Sequence, residues 1–171
     1  TSIYGNLGWN FFENANLSLF LRSDDNKITG SNETYKLNLQ QKMKQLTLGM
    51  SRMTGLRNPT IYELFGTDNY GYSGNKFLQP EKSYTNQLYV DYNFNKNFVF
   101  SLLGYKSSIY EQIEYKNNKY VNNFSQTDLN QSGIDAEINF FNDKNKILLY
   151  SSFSSSKKTN GSDQLRRPEK T

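Results

Sequence analysis

The residue types that most often perform catalysis or bind metals are largely missing from this chain. Its 171 residues include no Cys and no His. Thiolate and imidazole zinc sites, cysteine nucleophiles and His-based catalytic triads are therefore excluded within this sequence. Acid–base or metal chemistry would have to depend on carboxylates, so the spacing of Asp and Glu decides whether the sequence indicates an enzyme.

Two groups of carboxylates come close together in the sequence, and neither has the spacing of an active site. Asp135 and Glu137 lie two residues apart on one face of a predicted strand. A glycosidase needs two carboxyl groups that flank a sugar bond, but a water-facing strand wall explains this pair better. Asp24, Asp25 and Asn26 could offer oxygen atoms to calcium, yet they lack the spacing of an EF-hand loop. The sequence therefore predicts no enzyme, no catalytic residue, no metal site and no cofactor.

The composition indicates a sheet that buries little apolar surface. Hydrophobic residues make up only 35% of the chain, whereas aromatic residues make up 15%. Disordered chains are poor in aromatic residues, and no apolar run approaches the roughly 20 residues of a membrane helix. The net charge of +4 is scattered along the chain, without the basic cluster typical of nucleic-acid binding. A strand-rich protein that buries one face of its sheet, or turns that face to lipid, fits these features.

Alternation of apolar and polar residues predicts strands along most of the chain, as where Leu46, Leu48 and Met50 are separated by Thr47 and Gly49. Short turns are predicted near residues 13–15, 41–44, 95–97 and 142–145, and long connections near residues 23–33, 54–82, 110–131 and 154–164. A small hairpin is expected within the third long connection, around residues 116–119. Because the short and long connections alternate, every long one falls at the same edge of the sheet.

This asymmetry is typical of transmembrane barrels, whose strands of about 9–11 residues cross the bilayer at a tilt. Aromatic residues near predicted strand ends would form the interfacial girdles: Trp9, Phe11, Tyr92, Phe94, Phe140, Phe141 and Tyr150. The sequence therefore predicts an all-β fold, an antiparallel transmembrane β-barrel of which the chain supplies about eight strands plus the start of another. A soluble antiparallel sandwich is the alternative, but it would have shorter strands and no systematic asymmetry of loops.

The connection within residues 57–83 contains the candidate binding residues. Connections beyond about 12–15 residues are usually functional or disordered, and this one is too rich in Tyr and Phe for disorder. Asn69, Tyr70, Tyr72 and Asn75 are expected at its tip, away from the segments that anchor it, and are predicted to contact a ligand.

A short helix is expected at the start of this connection. Asn58 would be its N-cap, with Pro59 at the first helical position and Glu63 in an early turn. Gly66 would end the helix. Pro80 comes just before the next strand, where its missing N–H costs no ladder hydrogen bond.

Five segments resemble motifs of one family and occur in that family's order. Residues 57–66 read RNPTIYELFG and are similar to R-x-P-x-x-x-E-L-F/Y-G of TonB-dependent outer-membrane receptors. Residues 74–83 read GNKFLQPEKS and resemble G-N-P-x-L-x-P-E-K-S, with Lys76 in place of the usual proline. Residues 120–123, 131–137 and 165–168 resemble Y-x-N, x-x-G-V/I-E-x-E and L-x-R-R-P. Within these motifs a structural role at the barrel rim is expected for Arg57, Pro59, Glu63, Pro80, Glu81, Arg166 and Arg167.

The resemblance implies a 22-stranded barrel in the bacterial outer membrane, with a plug domain and import driven by the TonB complex. Cobalamin is the first expected ligand, because the Tyr-Gly and Gly-Asn loop, the PEKS segment and the LRRP segment are similar to those of vitamin B12 receptors. An iron–siderophore is the alternative ligand. Expected partners are thus one of these ligands, TonB through the plug, and outer-membrane lipid, but no nucleic acid.

Residues 1–171 are expected to be one partial barrel domain. Neither a plug, nor a TonB box, nor the terminal aromatic residue usual in bacterial barrels is visible, so the plug and the C-terminus of the barrel would lie outside this sequence. Such an open set of strands would expose unpaired edges and would not form a stable barrel alone. A complete eight-stranded barrel with a structural or adhesive role stays open as an alternative, because the strand count permits it.

Overall fold

The computed structural model describes residues 1–124 and 129–158, and within them the chain forms ten strands and one short helix. The strands are β1 (Ser2–Phe12), β2 (Ala15–Asn26), β3 (Gly30–Met43), β4 (Leu46–Arg57), β5 (Glu81–Asn95), β6 (Phe98–Tyr110), β7 (Ile113–Lys116), β8 (Lys119–Asn122), β9 (Leu129–Phe141) and β10 (Lys146–Lys158), and the helix is α1 (Ile61–Phe65). Eight strands form one antiparallel sheet in the order β1-β2-β3-β4-β5-β6-β9-β10, while β7 and β8 form a separate hairpin. The predicted all-β antiparallel fold and its eight strands are confirmed.

The sheet has one apolar face and one polar face, because neighbouring strands pair with their apolar residues in register. On the apolar face, Met50 of β4 is the partner of Leu88 of β5, and Leu88 is the partner of Gly104 of β6. On the polar face, Ser51 pairs with Gln87, and the Ser51 hydroxyl lies 3.1 Å from the Gln87 side-chain oxygen. Leu88 is 67% exposed, whereas Ser51 is 7% exposed. An apolar face turned outward and a polar face turned inward are what the wall of a membrane barrel requires.

Short turns close four hairpins at one edge of the sheet, which confirms the predicted short connections. They occupy residues 13–14, 44–45, 96–97 and 142–145. Aromatic rings cluster beside these turns, with centroids 4.6 Å apart for Tyr92 and Phe94 and 5.5 Å apart for Phe94 and Phe98. Tyr150, however, is the register partner of Glu137 on the polar face, so its predicted place in an outward girdle is wrong.

At the opposite edge, the first predicted long connection is wrong. Strands β2 and β3 continue to Asn26 and Gly30, and only residues 27–29 join them. The Asn26 side chain accepts hydrogen bonds from the N–H groups of Ile28 and Thr29, at 2.8 and 3.3 Å, and Gly30 adopts a φ of 75°. The backbone ladder continues through residues that are polar on both faces, so apolar alternation could not reveal it. The connections at residues 58–80 and 111–128 are long as predicted, and the second contains the expected hairpin, β7–β8.

Well-buried hydrophobic side chains lie mainly at the edge with the long connections. Leu64, Tyr72, Leu78 and Ile113 belong to those connections, and each is less than a tenth exposed. The strands β1 and β10 end the sheet order, and within the described residues neither pairs with a further strand. No helix in the described part of the chain is long and apolar enough to cross a membrane.

Candidate functional site

An ion-paired arginine lies at the base of the loop cluster. We define the loop cluster as residues 58–80, the first loop, together with residues 111–124, the second loop. Arg57 at the end of β4 is the register partner of Glu81 at the start of β5. The guanidinium nitrogens lie 3.2 Å from a Glu63 oxygen and 2.9 Å from a Glu81 oxygen. Glu81 also accepts the backbone N–H of Ile113 at 2.8 Å. One arginine therefore connects both ends of the first loop with α1 and, through Glu81, with the second loop.

Helix α1 is capped by Thr60 and begins at Ile61, so the predictions that Asn58 is the N-cap and that Pro59 is the first helical residue are wrong. The Thr60 hydroxyl accepts the N–H of Glu63 at 3.2 Å, and the Glu63 carboxylate accepts the N–H of Thr60 at 2.7 Å. This reciprocal pair is a capping box. Asn58 instead accepts a hydrogen bond from the Thr29 hydroxyl at 3.1 Å, which ties the loop cluster to the turn between β2 and β3. Gly66 ends the helix as predicted, with an extended rather than a left-handed backbone.

The carboxylate of Glu63 stays ionised at neutral pH although it is buried. Burial raises its pKa, but hydrogen bonds from the Thr60 N–H and from Arg57 lower it by more, so the pKa lies below the ordinary value of 4.5. Hydrogen bonds to the charged form have this effect in general. The charge of Glu63 therefore holds the helix start and the arginine at the same time.

The first loop folds back onto α1 through a close approach at Gly74. The Gly74 N–H donates to the Gly66 carbonyl at 2.7 Å, and the Asn75 N–H donates to the Glu63 carbonyl at 2.9 Å. A Cβ atom at position 74 would lie 2.6 Å from the backbone carbon and oxygen of Leu64. Only glycine lets the two backbone segments come this close.

Tyr72 is the centre of an aromatic group that joins the two loops. Its side chain is 4% exposed, and its ring stacks on Tyr62 with centroids 4.7 Å apart. Tyr120 of the second loop meets the same ring edge-on at 5.8 Å, and Tyr115 lies 6.0 Å away. The Tyr72 hydroxyl donates to the Tyr62 carbonyl at 2.7 Å. Burial raises the pKa of Tyr72, so the hydroxyl remains a neutral donor.

Amide side chains complete the contact between the two loops. The Asn75 side chain donates to the Tyr120 carbonyl at 3.0 Å. Asn122 accepts the N–H of Gln79 at 2.7 Å and donates to the Gln79 carbonyl at 2.9 Å. Sequence reasoning missed Tyr62 and Asn122 as contributors to this site. The Y-x-N resemblance at residues 120–123 was the available signal for Asn122.

An acidic residue connects the hairpin to the last described strand. The Glu114 carboxylate of β7 lies 2.7 Å from the Lys116 ammonium and 3.2 Å from that of Lys158 in β10. Burial raises the pKa of Glu114, but hydrogen bonds from Lys116 and Lys158 outweigh it, and the pKa lies below its ordinary value. The hairpin is thus held both to the first loop and to the wall of the sheet.

Two of the four predicted binding residues are exposed at the tip of the first loop, and the other two lie below the tip. Asn69 and Tyr70 are exposed, Tyr70 by 91%. Tyr72 and Asn75 lie below the tip and contact the helix motif, so their expected position away from the anchoring segments is wrong. The Asp68 carboxylate accepts the N–H groups of Tyr70 and Tyr72 at 2.8 and 2.9 Å, and the bridge between residues 67 and 73 narrows the loop. Contact with a ligand stays a prediction for all four residues.

The residues expected at the rim lie at the base of the loop cluster where they are described. Pro59 and Pro80 are buried, and Arg57, Glu63 and Glu81 form the ion-paired group described above. Arg166 and Arg167 lie outside the described residues. Lys76, in the place of the usual proline, lies over the Phe65 ring with its nitrogen 5.7 Å from the centroid.

The exposed surface of the loop cluster is rich in aromatic side chains. Besides Tyr70, it presents Phe77 and Phe124, which are 87% and 71% exposed. The described residues contain no group of three or more acidic side chains arranged to hold a metal ion. Asp24, considered above as a calcium ligand, is ion-paired with Arg22 at 2.8 Å. The surface therefore presents aromatic rings and amide groups on a loop backbone that is held in place by the ion pairs and hydrogen bonds described above.

Residues 1–170 match the protein-family model described as "TonB dependent receptor-like, beta-barrel". Among solved structures, the siderophore receptor PirA from Acinetobacter baumannii has a TM-score of 0.74 at 18% identity, covering 99% of this chain and 29% of its own. A mutant of the ferric enterobactin receptor PfeA from Pseudomonas aeruginosa has a TM-score of 0.67 at 18% identity, covering 92% and 26%. The copper transporter OprC has a TM-score of 0.66 at 16% identity, covering 93% and 29%. The chain thus spans about a third of these structures or less, and no curated protein sequence is significantly similar to it.

Proposed function

The chain belongs to the TonB-dependent receptor-like β-barrel family of the bacterial outer membrane, and we propose that it forms part of the wall and outer loops of a receptor that imports a scarce, bulky ligand. Members of this family are receptors and transporters, not enzymes. On this proposal residues 1–171 are one part of a larger barrel, and the plug and the segment that engages TonB are encoded elsewhere.

The observation that carries the proposal is the construction of the loop cluster. Long connections with an ion-paired base and a tyrosine core are more than is needed to join two strands. Their fixed backbone presents Tyr70 and Phe77 to solvent. Rigid aromatic side chains on a preorganised support lower the entropy cost of binding, which suits capture of a dilute ligand.

Two ligands are supported by different observations. An iron–siderophore is supported by the structural neighbours, because two of them are a siderophore receptor and a ferric enterobactin receptor. At 18% identity this likeness establishes the fold alone. Cobalamin is supported by the sequence motifs of the first loop and of residues 165–168. Both ligands are bulky, so the loop cluster would serve either.

Direct binding to the full-length receptor tests the proposal. Ferric siderophores and cobalamin would be titrated into the purified protein by calorimetry, and binding of either in the nanomolar-to-micromolar range supports the receptor function. Tyr70→Ala should weaken binding roughly tenfold, about 1.4 kcal/mol, while Tyr70→Phe should retain most of it if ring stacking dominates. Unchanged affinity in Tyr70→Ala would show that the tip does not contact the ligand. A full-length protein that binds neither ligand class and lacks a plug would contradict the receptor proposal.

A further inference from the structure

The first loop carries a cation over an exposed aromatic ring. The Lys76 nitrogen lies 5.7 Å from the centroid of the Phe65 ring, which is within the range of a cation–π interaction. Lys76 is exposed, and so are Phe65 and the neighbouring Phe77. The motif that residues 74–83 resemble has proline at position 76, so this arrangement is a feature of the chain and not of the motif.

A turn with a fixed backbone presents Lys76 and Phe77 to solvent. Before them, the Asn75 N–H donates to the Glu63 carbonyl at 2.9 Å. The Asn75 side-chain oxygen then accepts the N–H of Phe77 at 3.1 Å, and after them Leu78 is buried. The turn is therefore held to the core on both sides of the two exposed side chains. Groups that are held in place before binding lose less conformational entropy when a ligand arrives.

The positive charge of Lys76 is not compensated within the protein. No carboxylate of residues 1–124 and 129–158 lies within ion-pair distance of its nitrogen. The acidic side chains of the loop cluster are instead held by other groups: Glu63 by Arg57, Glu111 by Lys82, Glu114 by Lys116, and Asp68 by the N–H groups of Tyr70 and Tyr72. An anion that approaches the loop cluster therefore meets a free ammonium beside exposed rings.

This combination of groups favours one ligand chemistry. An exposed ion pair alone contributes little to binding, and contact between aromatic rings adds to it. A ligand whose negative oxygens are attached directly to aromatic rings can make both contacts at once. A ferric catecholate has this structure, whereas a neutral ferric trihydroxamate offers neither the charge nor the ring.

We propose that Lys76, Phe65 and Phe77 form a selective subsite, the Lys76 subsite, for an anionic ligand with aromatic rings, as in a ferric catecholate. The Lys76 ammonium contacts a negative oxygen of the ligand, Phe77 packs against a ligand ring, and Phe65 positions the ammonium. The proposal rests on the receptor function proposed above and adds to it the charge and the aromatic character of the ligand.

Calorimetric titration of the full-length receptor tests the subsite with three probes: a ferric tris-catecholate, a neutral ferric trihydroxamate and cobalamin. The wild type should bind the tris-catecholate most tightly, and its affinity should fall as salt screens the ion pair. Lys76→Met removes the charge but keeps an unbranched side chain. It should bind the tris-catecholate roughly fivefold more weakly, as expected for the loss of an exposed ion pair, and with less dependence on salt.

Lys119→Met is the matched control, because Lys119 is an exposed cation of the same loop cluster. Within the described residues it has no ion-pair partner and does not lie over a ring. This variant makes the same change in net charge and should leave the affinity for the tris-catecholate unchanged. Phe77→Leu tests the ring without a change in charge, and it should weaken binding roughly threefold while the dependence on salt is kept.

The outcomes separate the subsite from the receptor function. Equal affinity of Lys76→Met and the wild type for the tris-catecholate would overturn the subsite, as would an equal loss in Lys119→Met, which would show that net charge alone attracts the ligand. Tighter binding of the trihydroxamate or of cobalamin by the wild type would also overturn the subsite and leave the receptor function standing. Unchanged affinity in Phe77→Leu would overturn the ring contact. Binding of none of the three probes would contradict the receptor function itself.

Discussion

At the scale of single residues, Glu63 makes the loop cluster sensitive to acid. Its pKa in the folded protein lies below the ordinary value of 4.5, so its contribution to stability is complete above that value. As the pH falls through the lowered pKa, the carboxylate gains a proton and loses its hydrogen bonds with Thr60 and Arg57. We expect the amides of residues 58–80 to lose protection, relative to their intrinsic exchange rates at each pH, as the pH falls below the ordinary carboxyl value of 4.5. Glu63→Gln should show lower protection of these amides already at pH 7, and that protection should depend less on pH. If amide protection in Glu63→Gln depended on pH as it does in the wild type, the pH dependence would come from other groups, with Glu114 as the first candidate.

Gly74 supports a residue-scale prediction that concerns backbone packing alone. Gly74→Ala would place a Cβ 2.6 Å from the backbone of Leu64, and overpacking of this kind costs about 1–3 kcal/mol. The loop should move away from α1, and limited proteolysis of residues 58–80 should become faster. Gly8→Ala is the matched control, because an added Cβ there meets nothing within 4 Å. Equal proteolysis of the two variants would show that the loop can relax around the new methyl group.

At the scale of elements, Tyr72 couples the hairpin β7–β8 to the first loop. Its ring meets Tyr62 from its own loop and Tyr120 from the hairpin, so removal of the ring should loosen both. We expect Tyr72→Ala to destabilise this contact by about 3–5 kcal/mol, the usual range for large aromatic truncations. Hydrogen exchange in residues 111–124 would report the effect. Tyr72→Phe should lose only the hydrogen bond to the Tyr62 carbonyl, about 1 kcal/mol. Exchange in the hairpin that is the same in Tyr72→Ala as in the wild type would contradict the coupling.

The elements also show which signals the sequence contains. The strand that contains Leu46, Leu48 and Met50 could be predicted because its apolar and polar residues alternate. A wall with lipid on one side and a wet interior on the other requires this alternation. The paired ends of β2 and β3 have polar residues on both faces. Apolar and polar residues therefore do not alternate there, and the sequence pattern could not predict that the two strands continue. Tyr70 and Tyr72 have identical side chains and differ only in direction: the narrow loop set by Asp68 turns one outward and the other inward. Motif resemblance found the base of the site, whereas burial within the loop depends on tertiary contacts.

At the scale of the whole molecule, the sheet ends in two open edges. Within the described residues, β1 and β10 lack a second neighbour, and the apolar face is exposed along both strands, with Leu7 69% and Leu149 61% exposed. An edge of this length presents unpaired backbone groups that recruit other strands, and in lipid each unsatisfied group costs several kcal/mol. We therefore propose that further strands lie between these edges in the complete barrel.

This requirement predicts the behaviour of the isolated polypeptide, residues 1–171, refolded in detergent. We expect it to associate into heterogeneous oligomers, because strand edges from several copies would pair with one another. Size-exclusion chromatography with light scattering measures the mass, and hydrogen exchange at β1 and β10 measures edge pairing. The full-length receptor, refolded in the same detergent, is the control and should be monomeric. A monodisperse monomer of the isolated chain with protected amides in both edge strands would mean that β1 pairs with β10. That result would support the closed eight-stranded barrel and contradict the wall of a larger one.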